Sequence, residues 1–242
     1  MSNVVDLGFF DAIQTSMEAE AAAKDGIRAA VRELDRTNRN ITAVLNRVHS
    51  SPKAQVPALC AQARIHFSEI QSCIREVAKV VPDNQYYKYN NLWSGPMQQS
   101  CFLATLTVYL EHERLITVEE LEGFFAVKVD LENSVTEFRI SIEEFLHGVV
   151  SLTNELSRLA VNAVTAGDFG RPVRIGKFLK ELYSGFQLLN LKNDSLRKRF
   201  DGIKYDIKKV EEIIYDLTVR KLVVADTEPA QPVDNVGLEL KA

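Results

Sequence analysis

The last long segment of the chain sets the tightest limit on its fold. From Leu196 to Leu217 the apolar residues Leu196, Phe200, Ile203, Ile207, Val210, Ile214 and Leu217 recur at steps alternating between four and three. That step keeps one seam on a single side of an α-helix. The spacing predicts a helix over 194–220, with Asn193 or Asp194 capping its first turn. The other faces are basic. Between Lys192 and Lys209 the cations Lys192, Arg197, Lys198, Arg199, Lys204, Lys208 and Lys209 stand against only Asp194, Asp201 and Asp206. The chain as a whole has a net charge of −4, so any attraction for an anion must be local. Two readings fit the segment, a solvated helix face or the contact for an anionic partner.

The rest of the chain follows the same pattern. Its 11 glycines and 7 prolines leave long Pro-free stretches without strand-like alternation. Ile27, Val31, Leu34, Ile41, Leu45 and Val48 give a first helix within 3–48. Leu59, Ala63, Phe67, Ile70, Ile74, Val77 and Val81 give a second, started by Pro57 and closed by Pro82. A third helix runs over 85–113, with a break or kink expected at Ser94-Gly95-Pro96. Thr117–Glu120 and Ser141–Glu144 are capping boxes that open a fourth and a fifth helix. Gly167 suits the C-cap of the fifth. The sixth is expected over 174–191, and the helix after Asn193 is the seventh. Beyond residue 222 there is no apolar period and two prolines occur, so 223–242 is expected to be a disordered tail. The fold class is all-α, one seven-helix bundle over 1–222.

Several chemistries find little support. Cys60, Cys73 and Cys101 form no CxxC pair, which fits buried thiols in a reducing compartment. The N-terminus lacks the layout of a secretory signal, and no apolar run is long enough to cross a bilayer. Cytoplasm with nuclear access is the expected location. Glu144-x-x-His147 occurs once, whereas a di-iron bundle needs that spacing on two helices. Glu111, Glu113, Glu119, Glu120 and Glu122 form an acidic cluster of the kind that can gather Mg²⁺, or simply a solvated face. Val164–Asp168 lacks the glycines and lysine of a phosphate loop and reads as a helix stop. The run Tyr86-Tyr87-Lys88-Tyr89 with Trp93 offers aromatic faces around a cation, as a single-strand binder needs, or else core.

Four stretches carry a resemblance: Gln85-Tyr86-Tyr87, Glu155-Leu156-Ser157-Arg158, Val164–Asp168 followed by Arg171-Pro172, and the segment from Leu188 to Glu212. Together they resemble the translin/Trax family from about residue 20 to about residue 220. The resemblance implies an all-helical subunit, assembly into a hollow octamer, binding of single-stranded RNA and DNA, and an RNA-cleaving complex with a Trax-like catalytic partner in small-RNA or tRNA processing. It marks Lys88, Lys192, Arg197, Lys198, Arg199, Lys204, Arg64 and His66 as nucleic-acid contacts. Asn90, Leu92 and Ser94 stand where the family has further basic residues, and that weakens the expected grip. Trax-like chains carry several carboxylates around Mg²⁺. Here Glu155 matches one of them, Ser151 stands in place of an aspartate, and Gln98–Phe102 stands in place of glutamates. Glu155 is therefore the one catalytic candidate, or an ion-pair partner of Arg158. No metal or cofactor site of the chain's own is expected, and Mg²⁺ enters only if the chain cleaves RNA or the partner supplies the ion. The alternatives are a weak Mg²⁺-dependent endoribonuclease and an assembly protein with reduced nucleic-acid binding.

Overall fold

A computed structural model of the chain describes residues 7–131, 137–191 and 195–223. Lys192, the two candidate caps Asn193 and Asp194, and residues 224–242 lie outside the described residues. The described elements are α1 (Leu7–Leu45), α2 (Val56–Val80), α3 (Tyr86–Tyr89), α4 (Ser94–His112), α5 (Val118–Phe125), β1 (Val129–Asp130), β2 (Ile140–Ser141), α6 (Ile142–Thr165), α7 (Gly170–Gln187) and α8 (Ser195–Val219). The architecture is all-α. The two strands are a single two-residue parallel bridge, Val129 opposite Ile140 and Asp130 opposite Ser141.

α4 is the central element, packed by α1, α2 and α6. Ser100, Cys101, Leu103, Ala104, Thr105, Leu106, Thr107, Val108 and Tyr109 are all buried, so it has no polar face. Its buried hydroxyls are satisfied internally. Thr105 donates to the Cys101 carbonyl at 2.7 Å, Thr107 to the Leu103 carbonyl at 2.8 Å, and Ser100 to Asn38 Oδ1 at 2.9 Å. α6 lies against α4 on one side and against α7 and α8 on the other.

The seam of α8 packs as its spacing requires. Leu196, Phe200, Ile203, Val210 and Leu217 are buried, and Ile207 and Ile214 press against the same core. Both capping boxes form, with Glu120 N to Thr117 Oγ1 at 3.2 Å and Glu144 N to Ser141 Oγ at 3.1 Å. Gly167 has φ +79°, and Asp168 N reaches back to the Ala163 carbonyl at 2.9 Å, the six-to-one bond of a glycine-terminated helix.

Three expectations need correction. Eight α-helices are described rather than seven, because the third divides into α3 and α4 around a 3₁₀ turn at Asn90–Leu92. The division comes before Ser94-Gly95-Pro96, which forms the first turn of α4. There the N–H that Pro96 lacks would have had no helical partner, so the proline starts the helix instead of breaking it. α7 begins at Gly170 instead of 174 for the same reason: Pro172 lies in its first turn, and Asp168 Oδ1 accepts the Arg171 N–H at 3.2 Å.

Candidate nucleic-acid interface

The cations singled out by the sequence fall into three environments. The first is the α1–α3 contact. Lys88 Nζ is 2.8 Å from Glu20, which also binds Lys24 at 2.7 Å. Hydrogen bonds from Lys24 and Lys88 hold the Glu20 carboxyl down to about 2. The tyrosines around Lys88 mostly turn inward. Tyr86, Tyr89 and Trp93 are buried, and only Tyr87, 66 % exposed, presents a ring to solvent. The single turn of α3 and the 3₁₀ turn after it put those three on the core side, so most of the expected stacking platform is core.

The second environment is on α2. Arg64 grips Glu111 through two hydrogen bonds, of 2.8 and 2.6 Å, and lies 4.7 Å over the Phe124 ring. His66 Nδ1 is 3.4 Å from Glu69. The acidic cluster is likewise shared out among cations: Glu113 to Arg174, Glu120 to Arg114 and Glu122 to Lys128.

The third environment is the groove between α6 and α8, about 490 Å³, lined by Ser151, Asn154, Lys198, Arg199, Tyr205 and Asp206, among others. Arg199 Nη2 donates to Ser151 Oγ at 2.6 Å, and Nη1 donates to His147 Nδ1 at 3.0 Å. A guanidinium can only donate, so Nδ1 accepts that bond, and Nε2 lies 3.3 Å from Ser195 Oγ. Partial burial lowers the pKa of Arg199, and no carboxylate compensates it among the described residues. Asp206, the acid of the groove, is occupied by Thr153 at 3.0 Å and Asn154 at 3.2 Å. Lys204 and Lys198 are exposed, with Lys204 Nζ 5.1 Å from the centre of the Tyr205 ring. Tyr205 is 67 % exposed. Arg197 points to the other side, where Asp201 is 3.4 Å away and the Phe200 ring 5.6 Å.

Tyr205, Ser151, Asn154 and His147 were not among the contacts expected from sequence. Tyr205 carried a usable signal, an aromatic off the apolar seam and next to a lysine. Ser151, Asn154 and His147 carried none, because their meeting with α8 is a long-range packing event.

Glu155 sits in a different cluster at the start of the chain's first turn region. His49 Nε2 is 2.7 Å from Oε1, and Arg158 contributes bonds of 2.6 and 3.1 Å. His49 Nδ1 meets Asn162 at 2.9 Å, and Arg158 reaches Asn46 at 2.9 Å. Burial opposes the Glu155 charge, but the bonds from His49 and Arg158 outweigh it and bring the carboxyl down to about 2. The ion pair with Arg158 is present, and His49 completes it. Among the described residues no three His, Cys, Asp or Glu side chains are grouped to hold a metal ion, and no helix is long and apolar enough to cross a membrane. A depressed carboxyl stabilises the fold above its unfolded value of about 4.5 and loses that contribution as pH falls toward 2. Glu155→Ala should therefore cost about 1–2 kcal/mol at pH 7. The gap in melting temperature between variant and parent should narrow at pH 2–3; a constant gap would contradict the ion-pair role.

Known proteins resemble most of the chain. The model of the translin family matches residues 22–221. Translin of Gallus gallus is 44% identical over 214 residues, covering 88% of this chain and 92% of its own. Translin-associated protein X of Pongo abelii is 21% identical over 227 residues, covering 87% of this chain and 78% of its own. Among solved structures, apo-NeC3PO shares the fold at a TM-score of 0.61, with 16% identity, covering 84% of this chain and 95% of that one. A complex of AfC3PO with duplex RNA gives 0.53 and 16%, covering 88% and 98%.

Proposed function

The chain belongs to the translin family, and on that premise we propose that it is a single-stranded RNA- and DNA-binding subunit, non-catalytic by itself, that scaffolds a Trax-like endoribonuclease partner. The observation that carries the reading is Arg199, a partly desolvated guanidinium held by His147 and Ser151 in a groove with Lys198 and an exposed tyrosine, Tyr205, whose ring Lys204 accompanies. Single strands are gripped by cations on phosphates and aromatic faces on bases, and this groove offers both. Lys88 and Arg64 enter the reading as secondary contacts, since a strand must compete with Glu20 and Glu111 for them. The relatedness to translin-associated protein X, and the RNA duplex in the AfC3PO complex, support a shared assembly on RNA. In that assembly this chain is a translin-like helical domain over 1–222 with a tail from 223, a member of a hollow octamer, working in the cytoplasm with nuclear access. Mg²⁺, where needed for cleavage, belongs to the partner. Purified chain with Mg²⁺ and RNA should then give the same cleavage with and without Glu155→Ala.

The experiment is a salt titration of strand binding. The double variant Lys198→Ala/Arg199→Ala should bind a labelled single strand about tenfold more weakly at moderate salt. The slope of log K against log salt should become shallower by about 1.4, at roughly 0.7 per phosphate contact on a single strand. Unchanged affinity and slope would remove the groove from the interface.

A further inference from the structure

Beside the groove lies a more enclosed polar cavity of about 360 Å³, between the Tyr86–Asn90 turn, the first turns of α4 and α6, and the start of α8. Its lining is unlike a phosphate site. Arg139 lines it but is committed, 2.8 Å from Asp130 and stacked 4.1 Å over Tyr86 and 5.0 Å over Tyr87. The carboxylates of Glu143 and Glu144 lie at the same wall. An anion would meet the repulsion of the exposed Glu143, whereas an amino group would find an acceptor there. Asn90 and Gln98 add amides, each able to donate and accept. Gln98 Nε2 donates to Ser94 Oγ at 3.3 Å, and its amide oxygen is a further acceptor. Tyr87 offers an exposed ring at the rim.

A hydrogen bond joins the cavity to the cationic groove. His147 lines the cavity, and its Nδ1 takes the hydrogen bond from Arg199. The guanidinium is thus one imidazole ring away from the acceptor-rich space. A nucleotide has the same polarity, a phosphate at one end and a donor-bearing base edge at the other. Resting on the reading of the chain as a strand binder, we infer that this cavity receives one base of the bound strand and selects bases with an exocyclic amino group. The base stacks at Tyr87 and presents its amino edge to Gln98 and the exposed Glu143, while its phosphate lies on Arg199. Unstacked bases of single strands are commonly read in this way, by a ring face and by hydrogen bonds to the base edge.

Cytosine and uracil separate the claim cleanly. They are nearly the same in shape, but cytosine has an amino group at the position where uracil has a carbonyl. The full chain at pH 7.5 should bind oligocytidine about tenfold more tightly than oligouridine of equal length. Gln98→Ala and Tyr87→Ala, at positions that are half-buried and exposed, should each bring that ratio toward one. Equal affinities for the two strands in the parent chain would overturn the cavity while leaving the groove standing, as would a ratio that neither variant moves. Failure to bind either strand would overturn both readings.

Discussion

Gly148→Ala should destabilise the chain by about 3 kcal/mol or more, although alanine is the better helix former. Gly148 is on α6, where that helix crosses α4. A Cβ there would be 2.7 Å from the Phe102 amide nitrogen, 2.8 Å from Cys101 Cβ and 3.0 Å from the Cys101 carbonyl carbon. Two of those atoms are backbone of the most deeply buried helix, with α1 and α2 packed behind it, so neither helix can retreat without disturbing the core. Gly26→Ala is the control, since a Cβ on α1 at that point meets nothing within 4 Å. It should gain about 0.5–1 kcal/mol from helix propensity. Chemical unfolding of both variants measures the difference. A Gly148→Ala midpoint equal to that of the parent would mean that α4 and α6 do not approach as described.

Glu144→Gln should raise the melting temperature at pH 8 and leave it nearly unchanged at pH 4. The Glu144 side chain is 3 % exposed. Burial pushes its carboxyl up to about 7, against opposing bonds from the Ser141 backbone and the Ser141 and Ser94 hydroxyls, with the neighbouring Glu143 adding to the rise. A carboxyl raised in the fold favours folding only while it holds its proton. The contribution is complete below about 4.5 and is lost as pH climbs through 7. Above that, the parent carries a buried charge costing up to about 3 kcal/mol, which an amide does not carry. Glutamine also keeps the reciprocal capping box with Ser141, so helix α6 retains its start. A stability gap of the same size at pH 4 and pH 8 would contradict the burial argument.

The two variants mark the boundary of what sequence reading could reach. Glu144 was legible as a capping residue, because Ser141 and Glu144 stand three apart before an apolar run. Its perturbed proton was not, because it depends on what covers the helix start. Gly148 gave no signal at all, being one of several helical glycines whose surroundings differ only in three dimensions. The aromatic run at Tyr86–Trp93 shows the same limit from the other side. Its composition suits a stacking platform, yet the short helix and the turn after it direct three of its four rings into the core.

By itself the sequence determined the local things. The four-three spacing of α8, the two capping boxes and the helix stop at Gly167 follow from backbone hydrogen bonding and side-chain periodicity, which act over a few residues and are written in their order. The division of the cations was decided only by the tertiary structure. Lys88 meets Glu20 and Arg64 meets Glu111 across helix contacts, while among the described residues Arg199 meets a histidine and a serine. Charge interactions depend on distance and on exclusion of water, and both are set by which helices pack together, so equal residues along one chain became unequal in the fold.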